Sequence, residues 1–149
     1  MQNVKMKSLL LLNLFYKFQS EFMEEKAVSR EYEFIKECGS FFVVTLNGDF
    51  PACRPFGAIM EAGDKLYIST HDGNDAHKQL RGNGNMQIVA KKEGTREWLR
   101  ITGIAKECQD ISLKQRFMDE CPVLVSHYSS ADSEHFLMFQ ITITKTEFK

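Results

Sequence analysis

Apolar and polar positions along this chain fall into short segments of two different periods. Val28, Tyr32 and Ile35 recur at helical spacing and Gly39 stands where a helix would stop, so the pattern predicts a helix over residues 23–38. Phe41-Phe42-Val43-Val44-Thr45-Leu46 is aromatic and β-branched, which predicts a buried strand. Asn47-Gly48-Asp49 then signals a hairpin, with residues 52–60 returning as the partner strand. Pro55 cannot donate to a ladder, so this strand is expected at an edge or with a bulge. A turn at Glu61-Ala62-Gly63-Asp64 leads to a third strand over 66–70, and a polar loop follows. Asp75 is placed to cap a short helix over 76–81, which Gly82 ends. Further strands are predicted over 86–90, 97–106 and 136–148, with an Asp110-capped helix running to Glu120 before Pro122.

Six strands, several joined by gaps too short for a parallel crossover, argue for an antiparallel α+β barrel with short flanking helices. The 149 residues fit one ordinary domain. Leu9-Leu10-Leu11-Leu12-Asn13-Leu14-Phe15, preceded by Lys5 and Lys7, superficially resembles a signal peptide. No small-residue cleavage site follows, and the run is shorter than the roughly 20 residues that span a bilayer. The expectation is a dispensable N-terminal extension over residues 1–22 and a single domain over 23–149; the alternative is an amphipathic helix packed on the domain.

Charge and cysteine usage narrow the function classes. Nineteen Lys and Arg balance 20 Asp and Glu, and a net charge of −1 gives no general electrostatic reason to bind nucleic acid. With 43% hydrophobic and 26% charged residues, the composition excludes a disordered chain, a collagen and a polytopic membrane protein. Cys38, Cys53, Cys108 and Cys121 show no C-x-x-C spacing and no nearby His, so no metal site is predicted and reduced thiols of a cytoplasmic protein are expected.

P-loop, dinucleotide-fingerprint and nucleophile-elbow motifs are absent. Gly82-Asn83-Gly84 lies between a helix and a strand, the context of a plain turn. His71 opens the polar loop, where it is either a ligand contact or a solvated side chain. One combination carries chemistry. Cys53-Arg54-Pro55-Phe56-Gly57 lies in the interrupted strand, and Ser69-Thr70 ends the next one before a helix start. Arg54 supplies a permanent charge with a fork suited to phosphate, and free N–H groups at a helix start favour an anion. The backbone around Pro55 and Phe56 can meet a flat heteroaromatic edge. Such parts suit a phosphorylated planar cofactor. Read singly, Arg54 equally fits a surface ion pair, Phe56 a core position, Ser69-Thr70 a helix-entry turn and Trp98 a core or interface anchor.

In order along the chain, Arg54-Pro55-Phe56-Gly57, Leu66-Tyr67-Ile68-Ser69-Thr70, Lys78-Gln79-Leu80 with Asn83, and Glu97-Trp98-Leu99-Arg100-Ile101 with Gly103 resemble the pyridoxamine 5'-phosphate oxidase-like flavin proteins, in particular the small split-barrel, nitroimidazole-resistance type. The resemblance runs from about Glu25 to the C-terminus. It implies a split barrel, a homodimer, and FMN held in clefts at the subunit interface. It places Arg54, Pro55 and Phe56 beside the flavin ring and Ser69 and Thr70 near the ribityl phosphate. Trp98 and Arg100 are placed on a strand of the barrel and the dimer contact, and are carried over from there as further contacts to FMN. Relatives often carry a phosphate-binding Lys where this chain has Asn74, and Lys78 stands one helical turn later. The implied activity is flavin-dependent oxidation or reduction of a small organic molecule, with no side chain singled out as acid or base. The alternatives are a non-catalytic flavin carrier or sensor, and a split-barrel dimer holding another ligand such as haem.

Overall fold

A computed structural model describes residues 2–26 and 28–149. Helices α1 (Gln2–Lys26), α2 (Arg30–Cys38), α3 (Ala76–Gly82), α4 (Ile111–Glu120) and α5 (Val123–Tyr128) surround seven strands. The strands are β1 (Phe41–Asn47), β2 (Phe50–Phe56), β3 (Ile59–Ala62), β4 (Lys65–His71), β5 (Asn85–Lys91), β6 (Trp98–Glu107) and β7 (Phe136–Phe148). They form one sheet in the order β2-β1-β5-β6-β7-β4-β3, with every neighbouring pair antiparallel.

That order forces the sheet to roll up. β2 and β3 are its two outermost strands, yet only Gly57 and Ala58 separate them. Two linking residues reach at most about 11 Å, whereas six strand spacings in a flat sheet would need roughly 29 Å. The chain therefore leaves β1 through β2 and enters β4's side through β3, closing a split barrel across that link. The return strand predicted over 52–60 is this single pass, cut in two where it changes partner. Seven strands are observed instead of six for that reason.

Side-chain alternation follows the roll. Val43, Leu66, Ile68, Ile88, Leu99, Ile101, Phe139 and Ile141 fill the barrel interior, closed by Ile35 of α2 and Leu80 of α3. The opposite faces of β4 and β7 carry Tyr67, Phe136 and Met138, which pack under Phe117, Met118 and Leu124 of α4 and α5. β4 and β7 are thus buried on both faces at their centres, which explains the unbroken apolar run in β4.

The N-terminal helix prediction needs correction. One helix over 23–38 becomes two, and Ala27 of that span lies outside the described residues. Ser29 accepts a hydrogen bond from the Tyr32 amide at 3.1 Å and so begins α2, making Val28 a residue before the cap rather than part of the apolar stripe. In α1, Leu9 to Leu12, Leu14 and Phe15 are each 61–68% exposed, so these side chains do not pack on the barrel. No described helix is long and apolar enough to cross a membrane. All four cysteines are free.

Candidate functional site

Two adjoining hollows open where β2 turns into β3, at the ends of β4 and at the start of α3. One, of about 500 Å³, is bounded by Pro55, Phe56, Gly57, Ser69, Thr70, His71 and Asn74 on the barrel side. Val123, Leu124, His127 and Tyr128 of α5 form its other wall. The second, of about 430 Å³, shares Pro55, Phe56, Thr70 and Asn74 and adds Arg54, Asp75, Ala76 and Gln79. Each has the size of a small-molecule site.

Arg54 dominates the electrostatics of the second hollow. Its register partner is Val43, an interior position of β1, so its side chain passes toward the barrel and α3. There Nη1 donates to Thr45 Oγ1 at 2.7 Å and Nη2 to Gln79 Oε1 at 2.6 Å. The Thr45 hydroxyl donates to the same Gln79 oxygen at 2.6 Å, which closes a three-residue ring. A longer contact runs from Nη1 to the Val43 carbonyl at 3.4 Å. Every one of these partners is uncharged. Burial pushes the guanidinium pKa down from its ordinary value, opposed by the charges of Cys53 and of Asp75, which lines the same hollow. Arg54 is therefore a half-buried cation, fixed in place, whose charge no carboxylate contacts among the described residues. A buried charge in that state is costly unless an anion joins it.

The first hollow is aromatic. His135, His71, Tyr128 and Phe136 stack in a column, with ring centroids 5.1, 6.0 and 4.5 Å apart. Burial pushes the Tyr128 phenol above its ordinary range, a shift the Ser69 hydroxyl opposes and the Asp72 carboxylate reinforces. His135 Nδ1 lies 2.9 Å from Asp72, and that hydrogen bond raises the histidine and lowers the carboxylate.

Of the residues named from the sequence, Arg54, Pro55, Phe56, Ser69, Thr70 and Asn74 lie together around the two hollows. Lys78 lies elsewhere. It lines a neighbouring groove with Leu46, Asn47 and Gly48 and approaches Asp75 at 3.8 Å, outside both hollows. Trp98 and Arg100 are also apart from both hollows. Arg100 forms a forked pair with Glu147 at 2.7 and 3.1 Å. Pro55, Phe42, Val89 and Arg100 form one cross-strand row, so three strand spacings, about 14 Å, separate Arg100 from the cleft edge. Sequence reasoning missed Thr45, Gln79 and all of α5. Pro122 followed by the apolar Val123-Leu124-Val125 was the available signal for α5, whose N-cap is Pro122.

Comparisons with known proteins place this architecture. A model of the pyridoxamine 5'-phosphate oxidase family matches residues 30–149. Over most of its length the chain is similar to a NimC/NimA family protein from Clostridium acetobutylicum, at 31% identity and a TM-score of 0.72, covering 85% of this chain and 92% of that one. The fold also matches a candidate 5-nitroimidazole antibiotic resistance protein from Bacteroides thetaiotaomicron at 15% identity and a TM-score of 0.61, covering 83% of each chain. It matches the haem storage protein HutZ from Vibrio cholerae at 9% identity and a TM-score of 0.65, covering 78% of this chain and 90% of that one. No curated protein matches. The fold is that of the split-barrel proteins. This chain belongs to the pyridoxamine 5'-phosphate oxidase family.

Proposed function

We propose that this protein binds FMN in the paired hollows, works as a cytoplasmic homodimer, and carries out flavin-dependent redox chemistry on a small organic molecule. Arg54 carries the reading: a fixed, half-buried cation with only neutral partners, set in a hollow that adjoins one wide enough for a planar ring. Three of its N–H groups are engaged, and the rest of the fork is available to a phosphate. Thr45 and Gln79 hold the guanidinium in one orientation before the ligand arrives, which reduces the ordering cost of binding. Phe56, Pro55 and Tyr128 offer apolar walls to a flat heterocycle, and Ser69 and Thr70 offer hydroxyls. A bound flavin supplies the hydride or electron transfer; the chain positions it and excludes water.

The dimer completes the cleft in this reading. Both hollows open to the surface on one chain, and the outward row from Pro55 to Arg100 lies on the same sheet face as the exposed Phe42, Leu46 and Ile104. Covering that face with a second copy would bring one subunit's Trp98 and Arg100 toward its partner's cleft. A haem-binding reading rests on His71 and His127, two imidazoles on the cleft wall.

The test is titration of purified protein with FMN, read by flavin absorbance and fluorescence quenching, followed by anaerobic addition of NADH or NADPH. Saturable binding with bleaching of the flavin supports a redox enzyme; binding without bleaching indicates a carrier. A folded protein that ignores FMN but yields a Soret band with haemin would replace the flavin reading.

A further inference from the structure

The ends of β4 and β7 place three metal-ligating side chains together at the rim of the cleft. His71 closes β4 opposite Phe136, and the Asp72 amide donates to the His135 carbonyl at 3.3 Å. The ladder end thereby holds His71, Asp72 and His135 side by side although the sequence separates the histidines widely. The Asp72 carboxylate lies 3.1 Å from His71 Nδ1 and 2.9 Å from His135 Nδ1, and all three donor atoms fall within 4.8 Å of one another.

We propose that His71, Asp72 and His135 bind a divalent first-row transition ion at the mouth of the cleft. Bonds of about 2.0–2.2 Å from imidazole and carboxylate to zinc place neighbouring ligand atoms roughly 3–3.5 Å apart, close to the two spacings between the histidines and Asp72. The Gly73 amide donates to His71 Nδ1 at 3.0 Å, so an ion bound through that nitrogen takes the lone pair in place of the amide. Asp72 Oδ1 lies 3.1 Å from the same nitrogen, and an ion bridging the two sits to one side of the line that joins them.

Two imidazoles and one carboxylate select zinc, cobalt, nickel, copper or iron over magnesium and calcium, which prefer oxygen throughout. The side chains are 45%, 39% and 51% exposed, so an ion has a path in and the rings have room to turn toward it. Three protein ligands leave further coordination positions open. His71 also lines the cleft, so a molecule bound there stands next to the ion. The site requires no flavin.

The experiment uses the full chain without a histidine tag, stripped with a chelator and titrated with Co²⁺ by visible absorption, then with Zn²⁺ by competition. A saturable Co²⁺ band equivalent to a single ion per chain, displaced by Zn²⁺, is expected. His71→Ala, Asp72→Asn and His135→Ala should each weaken binding by about tenfold or more. Asp132→Asn, an acid of the same loop outside the cluster, should leave it unchanged. Thermal melts of each variant confirm folding, and His135→Gln replaces His135→Ala if the latter melts early. Absence of a saturable band, or affinity equal to the parent's in all three variants, overturns the site. FMN titration of the same samples separates this outcome from the fate of the flavin reading.

Discussion

Arg54 and Arg100 show how differently one residue type behaves in two settings. Arg100 meets Glu147 through a forked pair on the outer sheet face, and the carboxyl is held down to about 2 by that hydrogen bond. Its folded pKa lies below the ordinary 4.5, so the pair contributes above that value and its contribution is lost as pH falls from 4.5 through about 2. A carboxyl NMR titration should find Glu147 well below its neighbours, and Arg100→Ala should return it toward 4.5. An ordinary Glu147 titration in the parent protein would show that the fork does not persist in solution. Among the described residues Arg54 has no such carboxylate partner, and the proposed reading gives its charge to the ligand's phosphate. Removing one charge-assisted contact costs about 1.5–3 kcal/mol, equivalent to one to two decades of affinity. Arg54→Ala should therefore weaken FMN by about that factor and leave riboflavin, which lacks the phosphate, nearly unchanged. Equal losses for both, measured by fluorescence quenching, would remove Arg54 from the phosphate.

Elements, more than residues, decide what the sequence could disclose. The strands were legible because β-branched runs and turn signals are local: Gly48 does adopt a positive φ of 61° in the Asn47-Gly48 hairpin. Pro55 correctly marked an edge strand, since β2 ends the sheet on one side. The change of partner between β2 and β3 was not legible, because it depends on the rolled sheet and not on any local preference. The same limit applies to the site. Arg54, Thr70 and Asn74 could be found from motifs on successive elements, whereas the Arg54–Gln79 and Asp72–His135 contacts join positions 25 and 63 residues apart. Gly103 shows a further constraint that periodicity hides. It sits at the β6–β7 register shift, where an added Cβ would meet the Thr142 carbonyl oxygen at 2.7 Å and Ile141 at 3.0 Å. The first contact is with backbone, which cannot turn aside. Gly103→Ala should destabilise the barrel by about 1–3 kcal/mol, read as a lower denaturant midpoint at unchanged slope.

At the scale of the whole molecule, one sheet face remains to be accounted for. Phe42 is 49% exposed, Leu46 36% and Ile104 49%, and the strand register places them on the outward face that also carries Pro55 and Arg100. A second copy covering this face would bury apolar side chains and wall the cleft in one step, so assembly and cofactor binding should fail together. Phe42→Asp tests the coupling. The side chain is half in solvent on a single chain, so an aspartate there costs the isolated barrel little. At a dry interface the same carboxylate loses its hydration without gaining a partner. Light scattering should then show the parent at twice the chain's mass and the variant at one, with native circular dichroism in both and FMN affinity lost in the variant. A variant that remains dimeric would place the interface elsewhere. A monomer that still binds FMN as tightly as the parent would show that one barrel's own hollows hold the flavin, and that Trp98 and Arg100 have no part in it.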